Sequence, residues 1–162
     1  MDLHASYPVT QFLAKANVSA GTTNTLTTAP TPAPAPYNIR SKTYSKAAVT
    51  NGAVPTVDFG TGQAFKPVPV GSASVFVLAY DAAGVLRVMQ GSIETLDGGG
   101  GFGAAPQFPA APDSTCPFAY LLVRVGTGGA AWTFGASNFS GATGVTYTFQ
   151  DVSAIPDRPQ IS

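Results

Sequence analysis

The sequence predicts an all-β fold, an antiparallel β-sandwich or jelly-roll-like barrel with an extended N-terminal arm. Three observations predict it. Glycine (18) and proline (14) are abundant, whereas charged residues make up only 10% of the 162-residue chain, so the usual fillers of solvent-facing helices are missing. Val, Phe and Tyr recur in short runs bounded by Gly- and Pro-rich segments, the pattern of six to eight short strands. Ten Phe, six Tyr and one Trp are spread along the chain, enough to build a core where so much Gly and Pro would otherwise suggest disorder.

Residues 1–29 read as a docking arm. Tyr7, Val9, Phe12 and Leu13 are its candidate anchors, and "GTTNTLTTA" reads as a Thr-rich extended segment. Residues 30–36 read as a spacer. Pro30, Pro32, Pro34 and Pro36 each fix φ and lack an N–H, which predicts semi-rigid polyproline II. Ala29 to Pro36 would then reach roughly 25 Å. Residues 37–162 read as the sandwich body. "YNIRSKTYSKAAV" is a first strand, Asn51-Gly52 a turn, and "QAFKPVPV" an extended, proline-broken edge segment.

The clearest element spans residues 73–90. Ala73–Tyr80 and Val85–Gln90 are strands joined by Asp81-Ala82-Ala83-Gly84, a four-residue connection suited to a hairpin. Both faces of the first strand are apolar, which predicts burial on both sides or in an interface. Leu96–Pro117 is a long irregular loop, and Pro117–Val125 a strong strand. "AAWTFG", "ASNF" and "GVTYTFQDV" complete the chain as short strands. The aromatics Phe102, Phe108, Trp132 and Phe134 fall in or near Gly-rich loops. They are a candidate distal contact surface, or they fold back to cap the sandwich.

The chemistry-bearing residues are few. His4 is the only histidine and lies in the arm, without ligands at metal spacing. A serine or cysteine nucleophile therefore lacks a base on its own side of the spacer. Most carboxylates sit beside Gly, Pro or Ala, as turn residues do. "DGGGGFG" lacks the strand–loop–helix context and the Lys-Ser/Thr of a phosphate loop. Cys116 is the single cysteine, so no intrachain disulfide forms. Zero formal net charge argues against nucleic acid and anionic membranes as partners, and favours self-association. The expectation is no enzyme, no cofactor and no metal. Without a basic n-region or a long apolar run, synthesis and assembly are expected in a cytoplasm.

The order "YNIRSKTYSKAAV", "PVPVGSASVFVLAYDAAGVLRVMQGSIETLDG", "PQFPAAPDSTCPFAYLLVRVG" and "GVTYTFQDVSAIPDRP" resembles small virion structural proteins of tailed bacteriophages, of the capsid decoration, cement or head-fibre type. The most telling part is Ser74–Val125, with its "DAAG" turn, the strand ending in "QG", and "FPAAPD" before "PFAYLLV". The likeness covers about residues 37–160 and implies a non-enzymatic role without particular functional residues. It implies the outer capsid surface as location and the major capsid protein as partner. By the same analogy a homo-oligomer, a trimer, is expected. The alternative is a host-recognition module of a tail fibre or spike that binds glycan through Trp132 and neighbouring aromatics. A glycan depolymerase is a third reading.

Overall fold

The computed structural model describes residues 9–156 and Pro159. Among them are ten strands and no helix: β1 (Gln11–Phe12), β2 (Val18–Ala20), β3 (Thr25–Thr28), β4 (Ala35–Ile39), β5 (Lys42–Lys46), β6 (Val49–Ala53), β7 (Ser72–Asp81), β8 (Leu86–Thr95), β9 (Thr115–Val125) and β10 (Val145–Asp151). They form three antiparallel sheets, β10-β9-β7-β8, β1-β4-β5 and β2-β3-β6.

The hairpin at residues 73–90 lies at the centre. β7 sits between β8 and β9, and nine of its ten residues are buried. Side chains alternate along a strand, so the two sets Phe76, Leu78, Tyr80 and Val75, Val77, Ala79 enter different clusters. The first set meets Phe118, Leu121 and Val123 of β9, together with Phe12, Leu26, Tyr37 and Ile39 from the two smaller sheets. This is the sandwich core. The second set lies under loops. Val75, Tyr120 and Leu122 are covered by Phe102, Phe108 and Val152, and Val77, Ala79 and Met89 by Phe59, Phe108, Ala111 and Ile155. The chain thus covers both faces of β7 itself, and the double-sided apolar pattern needs no partner to explain it.

A register shift in the β7–β9 ladder falls at Leu78/Ala79, opposite Pro117 and Ala119. The extra residue, Phe118, joins Ala119 on the inner face, and its ring stacks on Tyr80 at 4.3 Å and 13°.

The N-terminal segment departs from the expected separate arm. From Val9 onward it is part of the sandwich. β1 pairs with β4, β2 and β3 pair with each other, and β3 pairs with β6. Phe12 is 2% exposed and Leu26 is 4% exposed. The physical reason is that residues 9–29 hold large apolar side chains at strand spacing, and the four-stranded sheet offers them an uncovered face.

The proline run departs as well. Thr31–Pro32 and Ala33–Pro34 are cis, and the run ends inside β4, where Ala35 and Pro36 pair with Lys46 and Ser45. Residues 30–36 therefore return the chain onto the sheet rather than hold two parts at a distance. Ile39 and Lys42 close a two-residue hairpin through Arg40 and Ser41, both at positive φ. The Asn51-Gly52 pair lies within β6, at an irregularity opposite Leu26–Thr28, instead of making a turn. "AAWTFG" and "ASNF" are loops, touched by sheet pairing only at Trp132 against Val68.

Candidate functional site

An apolar cleft of about 300 Å³ opens at the end of the β7–β8 hairpin, between that turn and the strands β3, β5 and β6. Its floor is Tyr80, Phe118 and Leu26. Tyr80 is held by the Phe118 stack, and its hydroxyl lies 3.5 Å from Thr28 Oγ1. Lys46 forms the rim. Its Nζ donates to the Gly84 carbonyl at 2.7 Å and stands 5.3 Å from the Tyr80 ring centroid. The left-handed turn at Gly84 (φ 72°) brings that carbonyl within reach.

Burial pushes the Tyr80 hydroxyl above its ordinary pKa, with the Thr28 hydrogen bond acting against it. Tyr37, whose hydroxyl donates to the Asp81 carbonyl at 2.8 Å, is pushed up to about 12 by burial and then by the nearby Asp81 charge. Both are neutral near pH 7. The cleft thus offers an apolar floor, a neutral hydroxyl and one ammonium already bonded. That arrangement can receive an apolar group.

Four of the described carboxylates hold backbone. Asp58 accepts from the N–H groups of Gly60 (2.7 Å), Thr61 (3.3 Å) and Gln90 (3.2 Å). Asp81 accepts from Ala83 and Val85, both at 2.9 Å, and pairs with Arg87 at 2.9 Å. Burial alone would raise its pKa, but the Val85, Arg87 and Ala83 donors and the Arg87 charge outweigh it and hold the carboxyl below its ordinary value. Asp97 accepts from Gly99 and Gly101, Asp151 from Asn17 and Val18, and Asp113 pairs with Arg40 at the surface. Among the described residues no group of three or more His, Cys, Asp or Glu side chains stands close enough to hold a metal ion. Cys116 is fully buried, and burial pushes its thiol up to about 12, far from a thiolate at neutral pH.

The predicted docking anchors separate. Tyr7 and His4 lie outside the described residues. Val9 (50% exposed) and Leu13 (46%) point to solvent, while Phe12 between them is core, against Tyr37, Tyr80 and Phe118. The predicted distal surface also separates. Trp132 and Phe134 are each 1% exposed, packed on Phe76 at 5.9 and 5.1 Å. Trp132 Nε1 donates to the Asn138 carbonyl at 3.1 Å. Neither ring can serve as a stacking platform. Phe102 and Phe108 are partly buried, covering the second face of the sheet, with Arg124 over the Phe102 ring at 4.3 Å and Phe108 edge-on to Tyr120 at 5.1 Å. Of the two readings of these rings, exposure or folding back to cap the sandwich, the loops take the second, because the sheet leaves apolar faces to fill.

The Tyr80 cleft went unread in the sequence. Its lining comes from segments between Val18 and Phe118, and only the tertiary fold brings them together. Comparison of the chain with protein families, with curated proteins and with solved structures returns no match.

Proposed function

We propose that the chain is a non-enzymatic structural protein of a tailed-bacteriophage virion, placed on the outer capsid surface as a decoration, cement or head-fibre protein against the major capsid protein. The observation that supports this best is the use of the carboxylates. Asp58, Asp81, Asp97 and Asp151 all accept main-chain N–H groups, so these four carboxylates lock turns and strand ends. The low charge and the phage-like order of strands and turns agree with a role in which contact, rather than reaction, is the task. In this reading Val9 and Leu13, the exposed apolar residues flanking core Phe12, are the capsid-docking points, and many weak contacts gain strength through repetition over the shell.

The test is a binding assay of the full chain against particles stripped of it. Val9→Asp with Leu13→Asp should leave circular dichroism and melting unchanged, since both side chains are exposed, and should abolish particle binding. Undiminished binding of that folded variant would remove these residues from the docking surface.

A further inference from the structure

Among the described residues the outer edge of the four-stranded sheet, β10, has an open pairing side along Thr146–Gln150. β10 pairs along all seven residues with β9, from Val145↔Val125 to Asp151↔Ala119. On its other side, no main-chain hydrogen bond joins Thr146–Gln150 to another segment among the described residues.

Other edges are blunted. On β8, the Val88 carbonyl accepts from Phe59 N–H, Gln90 N–H donates to Asp58, and Ser92 N–H donates to the Gln107 carbonyl. β5 carries Lys42 and Lys46, and β6 is interrupted at Asn51-Gly52. Lysines, irregularities and covering loops are the devices that stop a sheet edge from pairing with another chain. Among the described residues β10 carries no lysine and no irregularity in its ladder, and the neighbouring strand β2 meets it only at its end, at Asp151. Val145–Gln150 reads V-T-Y-T-F-Q, without charge, proline or glycine and rich in strand formers. The one charge of the strand, Asp151, is held inside the chain by the N–H groups of Asn17 and Val18.

We propose that β10 pairs antiparallel with β10 of a second copy of this chain, about a two-fold axis at Thr148, so that the two four-stranded sheets become one continuous sheet. The strand is self-complementary in the register that uses its whole length. Tyr147 then faces the second copy's Phe149 on the inner face, and Thr146 faces its Gln150 on the outer face. Aromatic pairs and hydroxyl–amide pairs are favourable cross-strand neighbours. Val145, Tyr147 and Phe149 are only partly buried on β10, and a further strand would cover their open side. Thr146, Thr148 and Gln150 are exposed and present nothing that repels a copy. Like strands meeting at such an edge are related by a two-fold axis. The unit is therefore a dimer, in place of the trimer that analogy with phage proteins suggests. This inference does not depend on the virion reading and is tested on purified protein alone.

Sedimentation equilibrium of the full chain from roughly 1 to 100 μM should show a monomer–dimer equilibrium. Thr148→Lys puts two ammonium groups opposite each other at the axis and should weaken the dimer about tenfold or more, with unchanged circular dichroism and melting of the monomer. Thr148→Glu should do the same, and mixing the two variants should restore dimerisation as a heterodimer. Thr148→Cys gives a second, independent reading. Under mild oxidation it should form a disulfide-linked dimer, since buried Cys116 does not compete. A monomer throughout that range, a trimer, a dimer indifferent to Thr148→Lys and Thr148→Glu, or absence of the Thr148→Cys cross-link would each overturn the proposal. A monomeric wild type whose Thr148→Lys variant loses particle binding would give the edge to a partner strand instead.

Discussion

The rings of Phe12 and Phe118 stand 5.5 Å apart, joining the N-terminal segment to the longest strand of the sheet. Phe12 also lies 6.2 Å from Tyr37 and 6.3 Å from Tyr80. A side chain so placed belongs to the core whatever else its neighbours do.

Phe12→Ala should therefore destabilise the fold by about 3–5 kcal/mol, the usual cost of emptying a buried aromatic site. Deletion of residues 1–29 should prevent folding outright, because it removes Phe12, Leu26 and the strands beside β4 and β6. Denaturant titration and circular dichroism read both. A truncated chain with native dichroism would restore the picture of a separate arm.

Much of the fold was legible because it is local. The β7–β8 hairpin announces itself by its apolar run and by the Asp81–Gly84 turn, β9 by its apolar run and β10 by its alternation. What escaped was set by distant contacts. Arg40-Ser41 carries no signal for a turn with two positive φ angles. It adopts one because Arg40 N–H meets Thr10 Oγ1, Ser41 N–H meets the Val9 carbonyl, and Val9 N–H meets Ser41 Oγ. Likewise, Trp132, near a Gly-rich loop, could be exposed or buried by its sequence, and it is buried because Val68 pairs with it and Phe76 packs beneath it.

Trp132→Ala should cost about 3–5 kcal/mol of stability, since the ring is buried among Phe76, Phe134, Phe139 and Tyr147. Thermal melting checks it. An unchanged melting temperature together with lost binding to host polysaccharide would favour the glycan-recognition reading.

Asp81→Ala should cost about 1–3 kcal/mol, because the turn N–H groups of Ala83 and Val85 and the Arg87 guanidinium lose their acceptor together. The carboxyl is held below its ordinary value in the folded state, so its contribution is present above the unfolded pKa and is lost as pH falls through the folded one. The stability difference between wild type and variant should shrink as the acid limb is descended below about pH 4. A constant difference down that limb would contradict it.

At alkaline pH the signs run the other way. Cys116 and Tyr37 are each raised to about 12, from ordinary values of 9.0 and 10.0. The unfolded chain ionises first, so stability is full below pH 9 and falls as pH rises toward 12. Denaturant midpoints at stepped pH should show the decline, and Cys116→Ala should move its onset upward, toward the tyrosine range. Rapid alkylation of native Cys116 at pH 8.5 would show that the thiol is neither buried nor raised.

The location of the protein on the particle is the most direct question to put to the proposed function. Immunogold labelling of purified virions, with antibody raised against the full chain, should place gold over the head at many sites per particle. Gold confined to the tail tip, or particles free of the protein, would contradict a role on the capsid surface.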